Sequence, residues 1–270
     1  MDSLLNLQSL LEGLPIPAWR AFERIGSTNE EALHWAEAGA ADLSLVLAEE
    51  QTAGRGRHGR RWHTPAASAL AVSLILHPRP AEIRWPARVT ALGALALWQV
   101  LHSWDAKIQL GIKWPNDVLV NGKKAAGVLV ETIWESDHPQ AFVLGMGVNV
   151  FKAALPPLSD LDFPATTLEH EMEQPPERPR LLRAWLEALL EWREHLGEPA
   201  FLQSWESALL WRKHLIEVQI GERVLLGEWL GLEEDGRLRL QTLSGETYLL
   251  PFGEVRLRPH IPPPRKMTYV

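Results

Sequence analysis

Residues 51–65 read QTAGRGRHGRRWHTP, with Gly54, Gly56 and Gly59 in the G-x-G-x-x-G spacing of a dinucleotide-binding turn. Such a turn follows a strand, opens a helix whose N-terminus holds the pyrophosphate, and is answered by an acidic residue about 20 positions on. Only the first condition is met. LSLVLAEE (43–50) reads as a strand, but RRWHTPAASALAVSLIL runs through a proline into a second apolar strand-like run, with no amphipathic helix between. The stretch is therefore a loop between two strands, carrying Arg55, Arg57, Arg60 and Arg61. Four guanidiniums beside three glycines suit a mobile segment that closes over anionic oxygens, because each can donate paired hydrogen bonds to phosphate or carboxylate. Taken by itself, the loop favours a solvated basic segment or a nucleic-acid patch.

Composition weighs against the second of these. The 270 residues carry a net charge of -7 with 46% hydrophobic content, which suits one large globular domain with a small one beside it. An acidic chain lacks the basic footprint of a dedicated DNA or RNA binder, so the arginine loop needs a local anion. With no cysteine, disulfides, thiolate metal sites and a cysteine nucleophile are excluded. MDSLLNLQSLLEGLPIPAW has no positive n-region, and no window has the apolar length of a membrane span, so a soluble cytoplasmic protein without membrane association is the expectation.

Around the loop, STNEEALHWAEAGA from Ser27 predicts a helix, with Ser27 and Glu30 at capping-box spacing and Gly39 at its end. PARVTALGALALWQVLHSW (86–104) predicts a buried helix, and IQLGIKW a strand. Asn121-Gly122 between VLV and KAAGVLVETIW predicts a β-hairpin, and AFVLGMGVNV (141–150) one more apolar strand. RLLRAWLEALLEWREHLG and 199–212 read as helices, and Trp98, Trp185, Trp192 and Trp205 as packing residues in helical stripes. From Leu215 the texture changes to short alternating runs separated by GE, EDG and SGE turns, the pattern of a small antiparallel β domain. The IPPPRK segment reads as an exposed tail.

Individually the polar motifs are weak. KWPND (113–117) is an ordinary turn taken alone, Lys124 at a strand start is usually just solvated, and Asn149 in GMGVNV is a polar residue that needs a partner or a ligand. Together and in order, STNE, QTAGRGRHGRRW, KWPNDV with KKAAG, and GMGVN resemble the biotin protein ligases, over roughly residues 20–258. The resemblance implies an α+β fold: a mixed β-sheet with flanking helices, of the class II aminoacyl-tRNA synthetase-like type, followed by a small C-terminal SH3-like β-barrel. The corresponding division is an N-terminal extension at 1–20, a catalytic biotin- and ATP-binding domain at 21–213, the SH3-like domain at 214–260 and a tail at 261–270.

It also implies a two-step reaction with biotin and ATP-Mg as substrates and a biotin carboxyl carrier domain as partner. The biotin pocket would comprise Ser27, Thr28, Asn29, Gln51, Gly54, Arg55, Arg57, Lys124 and Gly127. The adenylate site would comprise Arg57, Arg60, Trp62 stacked on adenine, Asn116, Asp117, Lys124 and Asn149, with Asp117 also the candidate magnesium ligand. Lys124 and Arg57 would carry the chemistry, Lys124 by bridging the biotin carboxylate and the α-phosphate. Some members carry an N-terminal helix-turn-helix that represses biotin genes. Only about twenty residues precede the resemblance here, so a ligase that does not bind DNA is expected. Family members often associate as homodimers. One departure stands out: the family commonly has glycine two residues past the proline of the loop, whereas TPAAS places Ala67 there. A lipoate ligase, a nucleic-acid-binding protein and a non-catalytic biotin sensor are the competing readings. The Arg-Gly loop with KWPND weighs against the first, the acidic charge against the second, and Lys124 with the loop arginines against the third.

Overall fold

A computed structural model describes residues 4, 7–157, 161, 163–250 and 255–259, so the 261–270 tail lies outside the described residues. The chain divides into two compact units, Met1–Ala208 and Leu209–Val270. In the first, elements run α1 (Gln8–Leu11), β1 (Trp19–Ile25), α2 (Thr28–Glu37), β2 (Leu45–Gln51), β3 (Ala69–Leu76), α3 (Pro80–Arg84), α4 (Pro86–Trp104), β4 (Leu110–Lys113), β5 (Asp117–Val120), β6 (Lys123–Glu135), β7 (His138–Asn149), α5 (Leu168–Glu171), α6 (Arg178–Glu194) and α7 (Pro199–Ala208). The seven strands form one mixed sheet in the order β1-β2-β3-β7-β6-β5-β4. β1 and β2 pair in parallel, and every other neighbour is antiparallel.

Alternation along the central strands assigns the two faces. On β7, Val143 packs with Ala32 of α2, whereas Leu144 meets Gly93 of α4. The same parity puts Ser73 and Ile75 of β3 on the α2 side, together with Leu129, Glu131 and Ile133 of β6, which pair across from β7. The opposite face is covered by α4, which packs on α6. Trp185 donates its indole N–H to the Gly93 carbonyl at 3.0 Å, and Trp185 and Trp205 are fully buried. Helices on both sides explain why β3 is buried at every position, with no polar-out alternation.

Local sequence chemistry sets the boundaries. Prolines open α3 and α4, where a missing N–H costs nothing. Asn121 (φ 49) and Gly122 (φ 75) occupy the left-handed region required of a tight β5–β6 turn. Gly39 (φ 86) follows the end of α2. One expectation fails: Ser27 occupies the N-cap of α2 but makes no side-chain cap bond. Gln51 supplies it instead, its Oε1 accepting from the Thr28 N–H at 2.9 Å. A long-range cap makes the helix start depend on β2.

Described residues at the start of the chain are tied into this unit. Leu4, Leu7 and Leu11 are buried, Leu4 donates its N–H to Glu49, and Arg183 donates to the Leu10 and Glu12 carbonyls.

In the second unit, β8 (Leu215–Ile220), β9 (Arg223–Leu232), β10 (Leu238–Thr242), β11 (Thr247–Leu250) and β12 (Val255–Pro259) form an antiparallel sheet ordered β11-β10-β9-β8-β12. Ile216, Val218, Trp229, Leu238 and Leu240 form its buried side. This is the small SH3-like domain, with β11 and β12 at the two ends of the pairing order.

Candidate functional site

The arginine loop is folded as an irregular hairpin between β2 and β3. Isolated bridges join Gln51 to Thr64 and Arg55 to Arg61, and backbone bonds run from Gly56 N–H to Arg60 and from Trp62 N–H to Gly54. A single 3-10 turn at Arg57–Gly59, with His58 at φ 58, makes its tip. Glycine is needed at Gly54 for a close approach: a Cβ there would lie 2.4 Å from the Trp62 carbonyl oxygen. No pyrophosphate-binding helix follows, so the G-x-G-x-x-G spacing here belongs to a hairpin.

Beneath one side of the loop runs a continuous polar chain. Gln51 Nε2 donates to Thr64 Oγ1 (3.0 Å), and Gln51 Oε1 accepts from Thr28 Oγ1 (3.1 Å). Ser73 Oγ lies 2.8 Å from Thr28 Oγ1 and 2.6 Å from Asn29 Oδ1, and its single proton serves one of them at a time. Asn29 Nδ2 donates to Glu131 Oε2 at 2.8 Å, and the same oxygen accepts from Arg55 at 2.7 Å. Room for Asn29 exists only because residue 145 is glycine, where a Cβ would stand 2.0 Å from Asn29 Oδ1. Above this chain, residues 53–61 with Leu129 and Glu131 line a cavity of about 460 Å³. Ser27, Thr28 and Asn29 are buried, and Asn29 reaches this cavity only through its bond to the lining residue Glu131.

The other side gathers charge. Lys124 Nζ lies 2.7 Å from Asp117 Oδ1 and 5.3 Å from the centroid of the Trp62 ring. Gly127 lies under the pair, a Cβ there falling 3.1 Å from Lys124 Nζ. Lys124 is bracketed by backbone bonds, its N–H to the Pro164 carbonyl and its carbonyl from Thr166 N–H. Arg57 donates to Asn116 Oδ1 at 2.7 Å, and Asn116 Nδ2 is tied to the Val128 carbonyl. Burial lowers the Arg57 pKa and the charge of Arg60 adds to this, while Asp117 opposes it. Arg57 and Lys124 thus both sense one carboxylate, and a second anion brought between them would be strongly favoured. The Trp62 ring rests where a Gly147 side chain would be, and its buried indole N–H has no hydrogen-bond partner among the described residues. Asn149 is buried with its amide donated to the Thr166 carbonyl, which makes it a brace for the segment behind Lys124.

Two of these residues carried no expectation of a role from the sequence. Ser73 and Glu131 are polar residues in the apolar runs ALAVSLIL and VLVETIW, and that isolation was their only signal. Among the described residues, no cluster of three or more His, Cys, Asp or Glu is placed to hold a metal, and no helix is long and apolar enough to cross a membrane.

The Biotin/lipoate A/B protein ligase family matches residues 21–149, the span that holds the loop, the polar chain and Lys124. The chain is 33% identical to the bifunctional ligase/repressor BirA of Bacillus spizizenii over 225 residues, covering 82% of this chain and 68% of that protein. It is 32% identical to the biotin–[acetyl-CoA-carboxylase] ligase of Paracoccus denitrificans over 239 residues, covering 86% of this chain and 97% of that protein. Its fold matches a biotin protein ligase from Aquifex aeolicus in complex with biotin and ATP, with TM-score 0.75 and 27% identity over 91% of this chain and 100% of that one. The chain belongs to the biotin protein ligases within that family.

Proposed function

We propose that the chain activates biotin with ATP and transfers it to one lysine of a biotin carboxyl carrier domain. In the first step a biotin carboxylate oxygen attacks the α-phosphorus, the bond to the β-phosphate oxygen breaks, and pyrophosphate leaves. In the second, the carrier lysine's neutral amine attacks the biotinyl carbonyl, the C–O bond to AMP breaks, and the amine's proton is released.

The observation that supports this best is the pairing of Lys124 with Asp117 beside Arg57 and Trp62. Two anions that repel each other must approach for the first step. Lys124 would sit between the carboxylate and the α-phosphate, and Arg57 and Arg60 would take the phosphate oxygens, neutralising charge that grows as the bond forms. Trp62 would stack on adenine, with Asn149 at the nucleotide side. Gln51, Thr28 and Asn29, with Ser27, Gly54 and Arg55 beside them, present both donors and acceptors, which suits a ureido ring. Leaving one of those groups unmatched would be costly. Asp117 is a single carboxylate held by Lys124, so magnesium would enter with the ATP phosphates as part of the substrate.

Purified protein with Mg-ATP and biotin, with and without an apo carrier domain, is the decisive assay. Biotin-dependent pyrophosphate release together with transfer to the carrier is expected. Absence of both from folded protein would overturn the reading, and release with lipoate in place of biotin would redirect it to the sister activity.

A further inference from the structure

Glu131 joins two parts of the site through one atom. Its Oε2, in the cavity wall, accepts from the buried Asn29 Nδ2 at 2.8 Å and from Arg55 at 2.7 Å, on the loop that lines the rest of the cavity. The polar chain of which it is the last link begins on the same loop at Thr64. It passes through Gln51, Thr28, Ser73 and Asn29 to Glu131 before returning to Arg55, so the two limbs of the hairpin are joined through polar groups behind the cavity wall. A second tether, Arg57 to Asn116, lies on the charged side.

We infer that Glu131 is a positioning residue that latches the arginine loop to the head-group pocket, so that closure of the loop and orientation of Asn29 are set by one carboxylate. This rests on the proposed biotin-binding role of that pocket. Arg55 and Glu131 keep 37% and 29% of their side-chain surface, so their ion pair adds little to global stability. The same modest energy applied to a short loop is enough to shift its open fraction severalfold. A neutral amide at residue 131 retains an acceptor oxygen that both donors can share, but without the charge that strengthens the bond from Arg55.

The test compares the wild-type enzyme with Glu131→Gln. Arg55, Arg57, Arg60 and Arg61 make the loop a reporter, because trypsin cuts there only when it opens. In ligand-free protein, cleavage within 55–61, located by mass spectrometry, should quicken roughly two- to fivefold in Glu131→Gln, as expected for loss of a part-exposed pair. Wild-type protein in 1 M salt should move the same way. The biotin KM should rise by a similar factor while kcat for pyrophosphate release and the melting temperature change little. Unchanged loop cleavage would overturn the latch even if the biotin KM rose, since Glu131 would then act on Asn29 alone. Faster cleavage with an unchanged KM would overturn its coupling to the pocket. Faster cleavage in a protein that shows no biotin-dependent chemistry at all would leave the latch standing and sink the proposed activity.

Discussion

Lys124 Nζ and Asp117 Oδ1 stand 2.7 Å apart on adjacent strands, above a glycine that leaves no side chain to separate them. The ammonium is thus held over the site before any substrate arrives, and an incoming carboxylate or phosphate need only compete with Asp117. Lys124→Ala should cut biotin-dependent pyrophosphate release by at least about 100-fold. Lys124→Arg should recover only part of it, because a planar fork does not replace a point charge. Single-turnover adenylate formation is the measurement, and a fully active Lys124→Ala enzyme would remove this residue from the mechanism.

Gly145 and Gly147 separate the two halves of the site. A Cβ at 145 would strike Asn29 and one at 147 would strike the Trp62 ring, the nearest atoms lying 2.0 and 2.4 Å away. Gly145→Ala should therefore weaken biotin binding with a smaller effect on ATP. Gly147→Ala should weaken ATP binding more than biotin. Calorimetric titration with each ligand distinguishes the two, and an equal loss of both ligands in both variants would refute the division.

Ala67 lies at φ 55 in a turn closed by Ser68 N–H to the Pro65 carbonyl. A left-handed alanine costs roughly 1–2 kcal/mol, while glycine loses about 0.5–1 kcal/mol of unfolded-state entropy. Ala67→Gly should then stabilise the protein by about 0.5–1 kcal/mol and raise Tm by roughly 1–3 °C. A lower Tm on calorimetry would show that the turn is not strained.

Glu171 secures the β5–β6 turn, accepting from Thr166 Oγ1 and Asn121 Nδ2 at 2.6 Å each and from Lys123 at 3.1 Å. Burial alone would raise its pKa. The hydrogen bonds from Thr166, Asn121 and Lys123, with the charge of Lys123, outweigh this and bring it below the ordinary 4.5. A carboxyl whose folded pKa is depressed stabilises above its unfolded pKa and loses that contribution as pH falls through the folded one. Glu171→Gln should therefore be less stable by about 1–3 kcal/mol at neutral pH, and the two proteins should converge in acid. Urea unfolding at pH 7 and pH 3.5 reads the difference; a gap that persists undiminished in acid would exclude the charge as its source.

Much of this architecture could be read from sequence because period and turn chemistry agree with the fold. The 86–104 helix, the Asn121-Gly122 hairpin and the strand carrying Gly145 and Gly147 are each specified locally. The start of α2 differs from its local pattern in one respect, since Ser27 has capping-box spacing but the first helical N–H is capped by Gln51, 23 residues from Thr28 along the chain. Glu131 escaped for a related reason. Its partners Asn29 and Arg55 are 102 and 76 residues distant, and only the sheet order brings β6 under the loop. The loop itself could be recognised as irregular, but not as a hairpin stitched by the Gln51–Thr64 and Arg55–Arg61 bridges.

Asn29 and Trp62 are seated over glycines two positions apart on the same face of β7. One pleat repeat, about 6.8 Å, therefore sets the interval between the two seats. The strand acts as a ruler. Loop residues could be exchanged freely without altering that interval, whereas a one-residue slip of β7 against β3 would turn both glycines to the α4 side and leave neither seat in place. The dimension of a molecule that reaches from one seat to the other is thus written in backbone geometry, beyond the reach of side-chain substitution in the loop.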